Sequence, residues 1–413
     1  MRIPSFAYNR FLAAAIAAAL VLAGFPVSRA AASPRRPAPT LHSATPVIVD
    51  TDAGIDDLLA LAFLLGRRDV HIEAITVVNG LCHVSSGANN VLRLLQLAGH
   101  PEIPVYEGAT APLAGHAAFP ESWRKDADTL PGVTLPATTA KPQAQSASSF
   151  LMRRLADSKR PVRILALGPL TNLAAVLRVE SWGVQPIQEI VIMGGALNVP
   201  GNLGDGGYFK TDNKTAEWNF YMDPLAASIV FSSSAPIRLI PLDATQQVPI
   251  KSEFLDKLTA DAKTPLEKFA AEVLGVQKKL IAEGVYFAWD PLAAVALADP
   301  TAVSTIPMNI SITEYGTDTG RSVSIPGKAP NAQVATSANA DLFRREFLEA
   351  LATPTPAPPP TPTPAPAAAP PKAPALTPKP APAAAPAAPP KASSPPANAA
   401  PASQPAPSQP PKR

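Results

Sequence analysis

The stretch Pro46 to Leu65, PVIVDTDAGIDDLLALAFLL, places four carboxylates, Asp50, Asp52, Asp56 and Asp57, within eight residues. Packing that much negative charge together is unfavourable unless a cation or a hydrogen-bond network compensates. A cluster built of oxygen donors alone, with no thiolate or imidazole, suits a hard cation such as Ca²⁺ or Mg²⁺. Helix capping explains one or two aspartates at such a position but not Asp50 and Asp52 as well. Further polar groups follow at strand ends or in the loops after them: Asn79, the Leu167-Gly168 turn, Asn198 and Asn202, Glu217 and Asn219, and Asp290. Ligands of open α/β sheets bind outside the carboxyl ends of the strands, so all of these belong to one rim. Carboxylates for a cation, joined by amides and a further carboxylate for hydroxyls, are a kit for a polyol or sugar held against a metal.

The elements that must carry these groups are legible as alternating apolar runs and amphipathic stretches. Val47 to Val49 reads as a buried strand and Asp56 to Leu65 as the helix after a turn at Gly54. Strands are predicted at Ile72 to Val78, Ile103 to Tyr106, Val162 to Leu167, Ile187 to Met193 and Ile237 to Leu242. Helices are predicted at 86–97, 150–156, 172–177, across much of 251–283, and at 340–351. Asp223-Pro224 and Asp290-Pro291 both read as an N-cap followed by a first-position proline. A hairpin is predicted from Ile310 to Ile325, and residues 107–145 read as a long surface excursion. The alternation implies an α/β fold, a mostly parallel central sheet flanked by helices, in a single large domain. Glu217 and Asn219, two apart, share a face only on extended backbone, which is therefore expected there.

The two ends are different in kind. Residues 1–32 have a basic start, an apolar run from Phe11 to Phe25 and small residues beyond it, the pattern of a signal peptide; a linker at 33–44 follows. That leader implies a secreted or periplasmic protein with no stable membrane span after processing. From Thr353 to Arg413 the chain is mostly Pro and Ala without acid or aromatic, a tail that cannot bury a core and should be disordered. The formal net charge of +3 comes from these ends, which hold ten of the 35 basic residues; the body, 45–352, keeps 25 against 32 acidic residues. An acidic body argues against a nucleic-acid partner. With Cys82 as the single cysteine, no internal disulfide forms and the fold rests on its core.

DTDAGIDD resembles the DTDPGxDD opening of the nucleoside hydrolases, which cleave the N-glycosidic bond of ribonucleosides. ALGPLTNLA at 166–174, IVIMGGALNVPGN at 190–202, EWNFYMDPLAA at 217–227 and WDPLAA at 289–294 extend the resemblance over nearly the whole body. The resemblance implies a Rossmann-like nucleoside hydrolase domain and a Ca²⁺ ion held by Asp52, Asp57, the carbonyl of Leu167 and Asp290. It implies that Asp52 also activates the attacking water, and that Asp56 contacts the ribose 2′-hydroxyl. Asn202, Glu217 and Asn219 match groups for the 3′- and 5′-hydroxyls. It suggests a small-molecule nucleoside substrate and a homo-oligomer.

Three departures stand out. Ala53 replaces a proline, a change expected to be tolerated. Asn79-Gly80-Leu81 stands where Gly-Asn is usual, so either Asn79 fills the sugar-binding position or Leu81 does and the contact is lost. Trp289 stands where one branch has a leaving-group histidine, and no histidine lies in the C-terminal two-thirds. Stacking on Trp218 or Trp289 would then assist departure, which favours purine nucleosides; core packing is the competing role for both rings. A catalytically weakened nucleoside- or ribose-binding protein is the alternative on the same fold. A phosphatase opening with strand-DxD is disfavoured by the Asp56-Asp57 pair, and an EF-hand by Leu61 at the position of its bidentate Glu.

Overall fold

The computed structural model describes residues 45–354 apart from 116, 158, 179–183, 185 and 205–208. The leader, the linker and nearly all of the Pro/Ala-rich tail lie outside the described residues. Eight strands form one sheet: β1 (Val47–Thr51), β2 (Ile72–Val77), β3 (Val105–Glu107), β4 (Val162–Ala166), β5 (Ile187–Met193), β6 (Ile237–Ile240), β7 (Val303–Met308) and, after a separate hairpin of β8 (Ile310–Ile312) and β9 (Ser322–Ser324), β10 (Ala332–Ala338). The order is β3-β2-β1-β4-β5-β6-β10-β7, parallel except for the β10–β7 pair. The order turns back between β1 and β4, the switch point where such sheets open a crevice.

The first half contributes helices α1 (Ile55–Gly66), α2 (Val84–Ala98), α3 (Glu121–Thr129), α4 (Ala147–Ala156) and α5 (Thr171–Leu177). The second half adds α6 (Trp218–Met222), α7 (Pro224–Ser232), α8 (Leu242–Thr245), α9 (Ser252–Asp261), α10 (Pro265–Val276), α11 (Lys278–Ala282), α12 (Trp289–Ala298) and α13 (Ala340–Leu351). One apolar core lies on the α1, α2, α10, α12 face of the sheet and a second on the α4, α5, α7 face. From Asp57 to Gly66 α1 is buried all round, as its Leu/Ala composition requires, and it packs along α12, which is buried from Asp290 to Leu297. No described helix is long and apolar enough to cross a membrane.

Several expectations need correction. The 107–145 excursion is not plain surface: α3 lies within it, and Phe119, Arg124 and Leu130 are buried. β7 and β10 were not foreseen; Pro307 interrupts the β7 pattern, and an edge strand tolerates it because one side of its ladder is unpaired. Asp223 caps α7 as expected, its carboxylate accepting from the Ala226 N–H. Asp290 instead falls inside the first turn of α12, whose N-cap is Ala288. Asn219 is helical rather than extended; only Glu217, the N-cap of α6, has extended backbone.

Candidate active site

At the end of β1 the chain turns sharply through Ala53, which takes φ +57°, and donates its N–H to Thr51 Oγ1 at 2.9 Å. Neither feature is open to proline, which fixes φ near −65° and has no N–H. The alanine is therefore not a passive replacement, because this turn follows a path proline cannot take. Asp57, in the first turn of α1, folds back over that turn. Its Oδ1 accepts from the Thr51 hydroxyl and, at 3.2 Å, from the Asp52 N–H; its Oδ2 accepts from the Gly54 N–H at 3.1 Å. Capping thus does account for part of Asp57's role.

Asp52 sits in a slot between two glycines. A Cβ on Gly80 would lie 2.0 Å from Asp52 Oδ2, and one on Gly168 would lie 2.9 Å from Asp52 Cβ. Its Oδ2 accepts from the Leu81 N–H at 2.8 Å. Asp290 arrives from α12, and one carboxylate oxygen from each of Asp56, Asp57 and Asp290 falls within 4.8 Å of the others. The expected trio was Asp52, Asp57 and Asp290. Asp56 joins Asp57 and Asp290 in this grouping, while Asp52 adjoins it through its side-chain contact with Asp57. Burial drives all four carboxyls up from the ordinary carboxylate range. Repulsion from the neighbouring carboxylates adds to this at Asp56, taken to about 7, and at Asp57 and Asp290, well above normal; at Asp52 hydrogen bonds and the charge of Arg124 oppose it. Asp57 and Asp290 face each other closely, and each raises the cost of ionising the cluster.

Asp50 is fully buried and is held by other partners. Its Oδ1 accepts from Thr76 on β2 and from Asn172 Nδ2 at 2.8 Å, while Oδ2 has no partner; burial raises its carboxyl to about 7. Asn172 in turn accepts from the Ala109 N–H at 2.9 Å, so it ties β1 to the loop after β3 instead of capping α5.

The other rim groups converge, each already engaged. Glu217 accepts from the N–H groups of Asn219 (2.9 Å), Gly195 (2.9 Å) and Phe220 (3.3 Å), and burial lifts its carboxyl to about 7. Asn219 Nδ2 donates to the Leu167 carbonyl at 2.7 Å and to that of Met193 at 3.2 Å. The Leu167 oxygen therefore keeps one lone pair for any further ligand. Asn202 Oδ1 accepts from the Trp218 N–H at 3.1 Å. Asn198 is held away by Asp243. Trp218 is buried with Phe119 stacked on it at 4.4 Å and Trp123 tilted against it at 5.8 Å, so core packing describes it. Trp289 is half-buried and meets the edges of Tyr286 and Phe287.

Two groups escaped the sequence reading. Asn79 Oδ1 accepts from Arg124 Nη2 at 2.7 Å, which assigns the amide: an arginine cannot accept, so Nδ2 is the end left to donate elsewhere. Leu81 contributes only its backbone N–H, so Asn79 is the polar side chain at this rim. Trp123, Ala127 and Leu130, at helical spacing inside the excursion, were the signal for α3 that would have exposed Arg124. The other is Tyr286, whose buried hydroxyl has no partner, lies near Asp56 and Asp290, and is pushed well above its normal range by burial.

The donor set fits a hard divalent cation. It is all oxygen, it is buried, and among the described residues no Lys, Arg or His forms an ion pair with Asp52, Asp56, Asp57 or Asp290.

Comparison with known proteins places this geometry. The family model of the inosine-uridine preferring nucleoside hydrolases matches residues 47–345. The chain is similar to a uridine nucleosidase of Arabidopsis thaliana, 33% identical over 258 residues, covering 62% of this chain and 74% of that one. It is similar to a pyrimidine-specific ribonucleoside hydrolase of a Shewanella species, 35% identical over 229 residues, 55% of this chain and 68% of the other. Among solved structures, a purine-preferring ribonucleoside hydrolase from Gardnerella vaginalis superposes with a TM-score of 0.65 at 28% identity, covering 74% of this chain and 98% of its own. A plant nucleoside hydrolase superposes with a TM-score of 0.66, also at 28% identity, covering 75% and 99%.

Proposed function

Since the chain belongs to the nucleoside hydrolase family and is a ribonucleoside N-glycosidase, we propose that it works with a Ca²⁺ ion held where α1 and α12 meet, splitting nucleosides into free base and ribose. The observation that carries this reading is the approach of Asp290, from near the end of the domain, to Asp56 and Asp57 within 4.8 Å. Asp52, Asp57, the Leu167 carbonyl and Asp290 are the proposed ligands, and Asp56 serves the ion, the sugar, or both. A hard divalent cation bound there supplies Lewis acidity toward water and the sugar's vicinal hydroxyls.

The protein's own groups do the rest. Asp52, fixed between its glycine walls, takes the proton of the attacking water. Asp56 accepts from the ribose 2′-hydroxyl. Asn79 Nδ2, Asn202, Glu217 and Asn219 orient the remaining hydroxyls. The carboxylates stabilise the positive charge that builds on the ribosyl carbon as the C–N bond lengthens.

Uridine is the first substrate to assay, because relatives 33–35% identical carry the names uridine nucleosidase and pyrimidine-specific hydrolase. The second reading is a purine preference. It is favoured by the purine-preferring name of one structural neighbour and by Trp289 as a stacking surface, since Phe119 already covers Trp218. A panel of uridine, cytidine, inosine and adenosine, with and without chelator, reads free base and ribose. Asp52→Ala should abolish base release; unchanged turnover in that variant sinks the reading. The basic, apolar, small-residue pattern of residues 1–32 supports export to the periplasm or outside the cell, with residues 353–413 as a spacer tail and the domain self-associating.

A further inference from the structure

We propose that Arg124 is the leaving-group residue, its guanidinium donating hydrogen bonds to the nucleobase as the glycosidic bond breaks. This rests on the ribonucleoside reading above.

Arg124 is 7% exposed; among the described residues no carboxylate lies within ion-pair distance, and its charge acts on Asp52 from farther off, drawing that carboxyl down. Its Nη2 donates to Asn79 Oδ1 at 2.7 Å and reaches the Cys82 carbonyl at 3.5 Å, and its buried Nε–H has no acceptor. A guanidinium stays protonated, and a buried donor left without an acceptor is costly. Such a group is suited to a ligand that arrives carrying, or developing, negative charge.

Its place fits the base. Asn79 precedes Gly80, which presses on the Asp52 carboxylate. Arg124 is therefore one residue removed from the proposed site of water attack. The segment that brings it in also brings Phe119 and Trp123 against Trp218, so an aromatic cluster is built from the same segment as the guanidinium. A phosphorylated ligand is disfavoured by the four carboxylates close by. A neutral nucleoside is not, since its charge appears only during the reaction. Nor do the described histidines offer an acid here: His83 is held by Asp128, His100 by Glu102, and His71 is exposed.

The step balances as follows. The C1′–N bond breaks and its electron pair stays on the base nitrogen, delocalised for a pyrimidine onto the O2 carbonyl. Arg124 donates to that oxygen without giving up its proton. Water adds to C1′ and its proton passes to Asp52, which returns it to solvent before the next turnover. The base anion takes a proton from solvent once released, and the products are neutral base and ribose.

The test compares uridine with 4-nitrophenyl β-D-riboside, whose phenolate leaves unaided. Arg124→Met should lower kcat on uridine by about 100-fold, as expected for removing one donor to developing charge, and leave kcat on the nitrophenyl riboside nearly unchanged. Arg124→Lys keeps the charge but not the fork, and should recover part of the uridine rate. Parallel losses on both substrates overturn the proposal, because a structural role, or one exerted through Asn79, would slow both. Full uridine activity in Arg124→Met also overturns it. If Arg124→Met does not fold, the ratio of the two rates in Arg124→Lys reads the same quantity. Wild-type protein that releases product from neither riboside overturns the hydrolase reading itself, a result distinct from a selective failure at Arg124.

Discussion

Replacing Asp290 by asparagine should stabilise the metal-free protein while removing its response to calcium. The carboxylates of Asp56, Asp57 and Asp290 lie within 4.8 Å of one another. At that spacing and an effective dielectric of about 20, each fully ionised pair repels by about 3 kcal/mol. The raised Asp57 and Asp290 carboxyls keep part of this repulsion from developing near neutrality, so the gain is smaller at pH 6 and grows as pH rises. The sign follows from the shifted carboxyls. Both are raised in the folded state, so the native protein binds protons that the unfolded chain has released, and its metal-free stability falls as pH rises. Asparagine keeps the shape, offers Asp57 an N–H, and removes one charge. In chelator at pH 8 the Asp290→Asn melting temperature should therefore exceed wild type by several degrees, about 2–4 °C per kcal/mol for a domain of this size. Adding calcium to about 100 times its dissociation constant should raise wild-type stability by about 2.7 kcal/mol and leave the variant unmoved. Thermal melts over pH 6–9, with chelator and with calcium, measure both. A variant that melts below wild type in chelator, or that still responds to calcium like wild type, would refute the cluster as a cation site.

Three other outcomes follow from the same geometry. Gly80 supplies no side chain to the site, yet a Cβ there would sit 2.0 Å from Asp52 Oδ2; steady-state assays of Gly80→Ala should show turnover down at least about 100-fold, and near-wild-type rates would mean Asp52 is not where catalysis needs it. Asp50, raised by burial to about 7 from 3.8, contributes stability that is fully present below about pH 4 and lost as pH rises through 7. Urea titrations in chelator should show Asp50→Asn flattening that dependence by up to about 4 kcal/mol, and an unchanged slope would count against the buried carboxyl as its source. Ala53→Gly should gain about 1 kcal/mol by relieving the positive φ, whereas Ala53→Pro should lose the 2.9 Å bond to Thr51 and unfold the turn; equal melting temperatures for the two would contradict the turn described.

What was legible in the sequence was what is local. Asp50 to Asp57 declare themselves because strand, turn and helix start within one short stretch, and the parallel sheet follows from the alternation of apolar runs. Asp290 was placed at the site only through a resemblance. Its physical cause is the packing of α1 on α12, two helices so uniformly apolar that periodicity does not reveal which faces meet. Arg124 was invisible for a different reason: a cluster of Gly, Pro, Thr and Ala around α3 masked a helix whose own pattern was sound. Asn219 was misread because spacing alone does not distinguish an extended pair from an N-cap and the helix it starts; Glu217 settles that by accepting from the Asn219 and Phe220 N–H groups. The β7–β10 pairing joins the far end of the domain to the sheet and has no local signature beyond two weakly patterned segments.

The cluster joins the first helix of the domain to one of the last, and this has a kinetic meaning. Asp57 and Asp290 come together only where α1 packs on α12, so a cation held by both would find its ligands only once that long-range contact had formed. Contacts made that late lower the native state without lowering the barrier to reaching it. A bound ion would thus leave the refolding rate untouched and slow unfolding in proportion to its affinity. The lifetime of the folded enzyme, more than its equilibrium population, would then be set by the calcium around it.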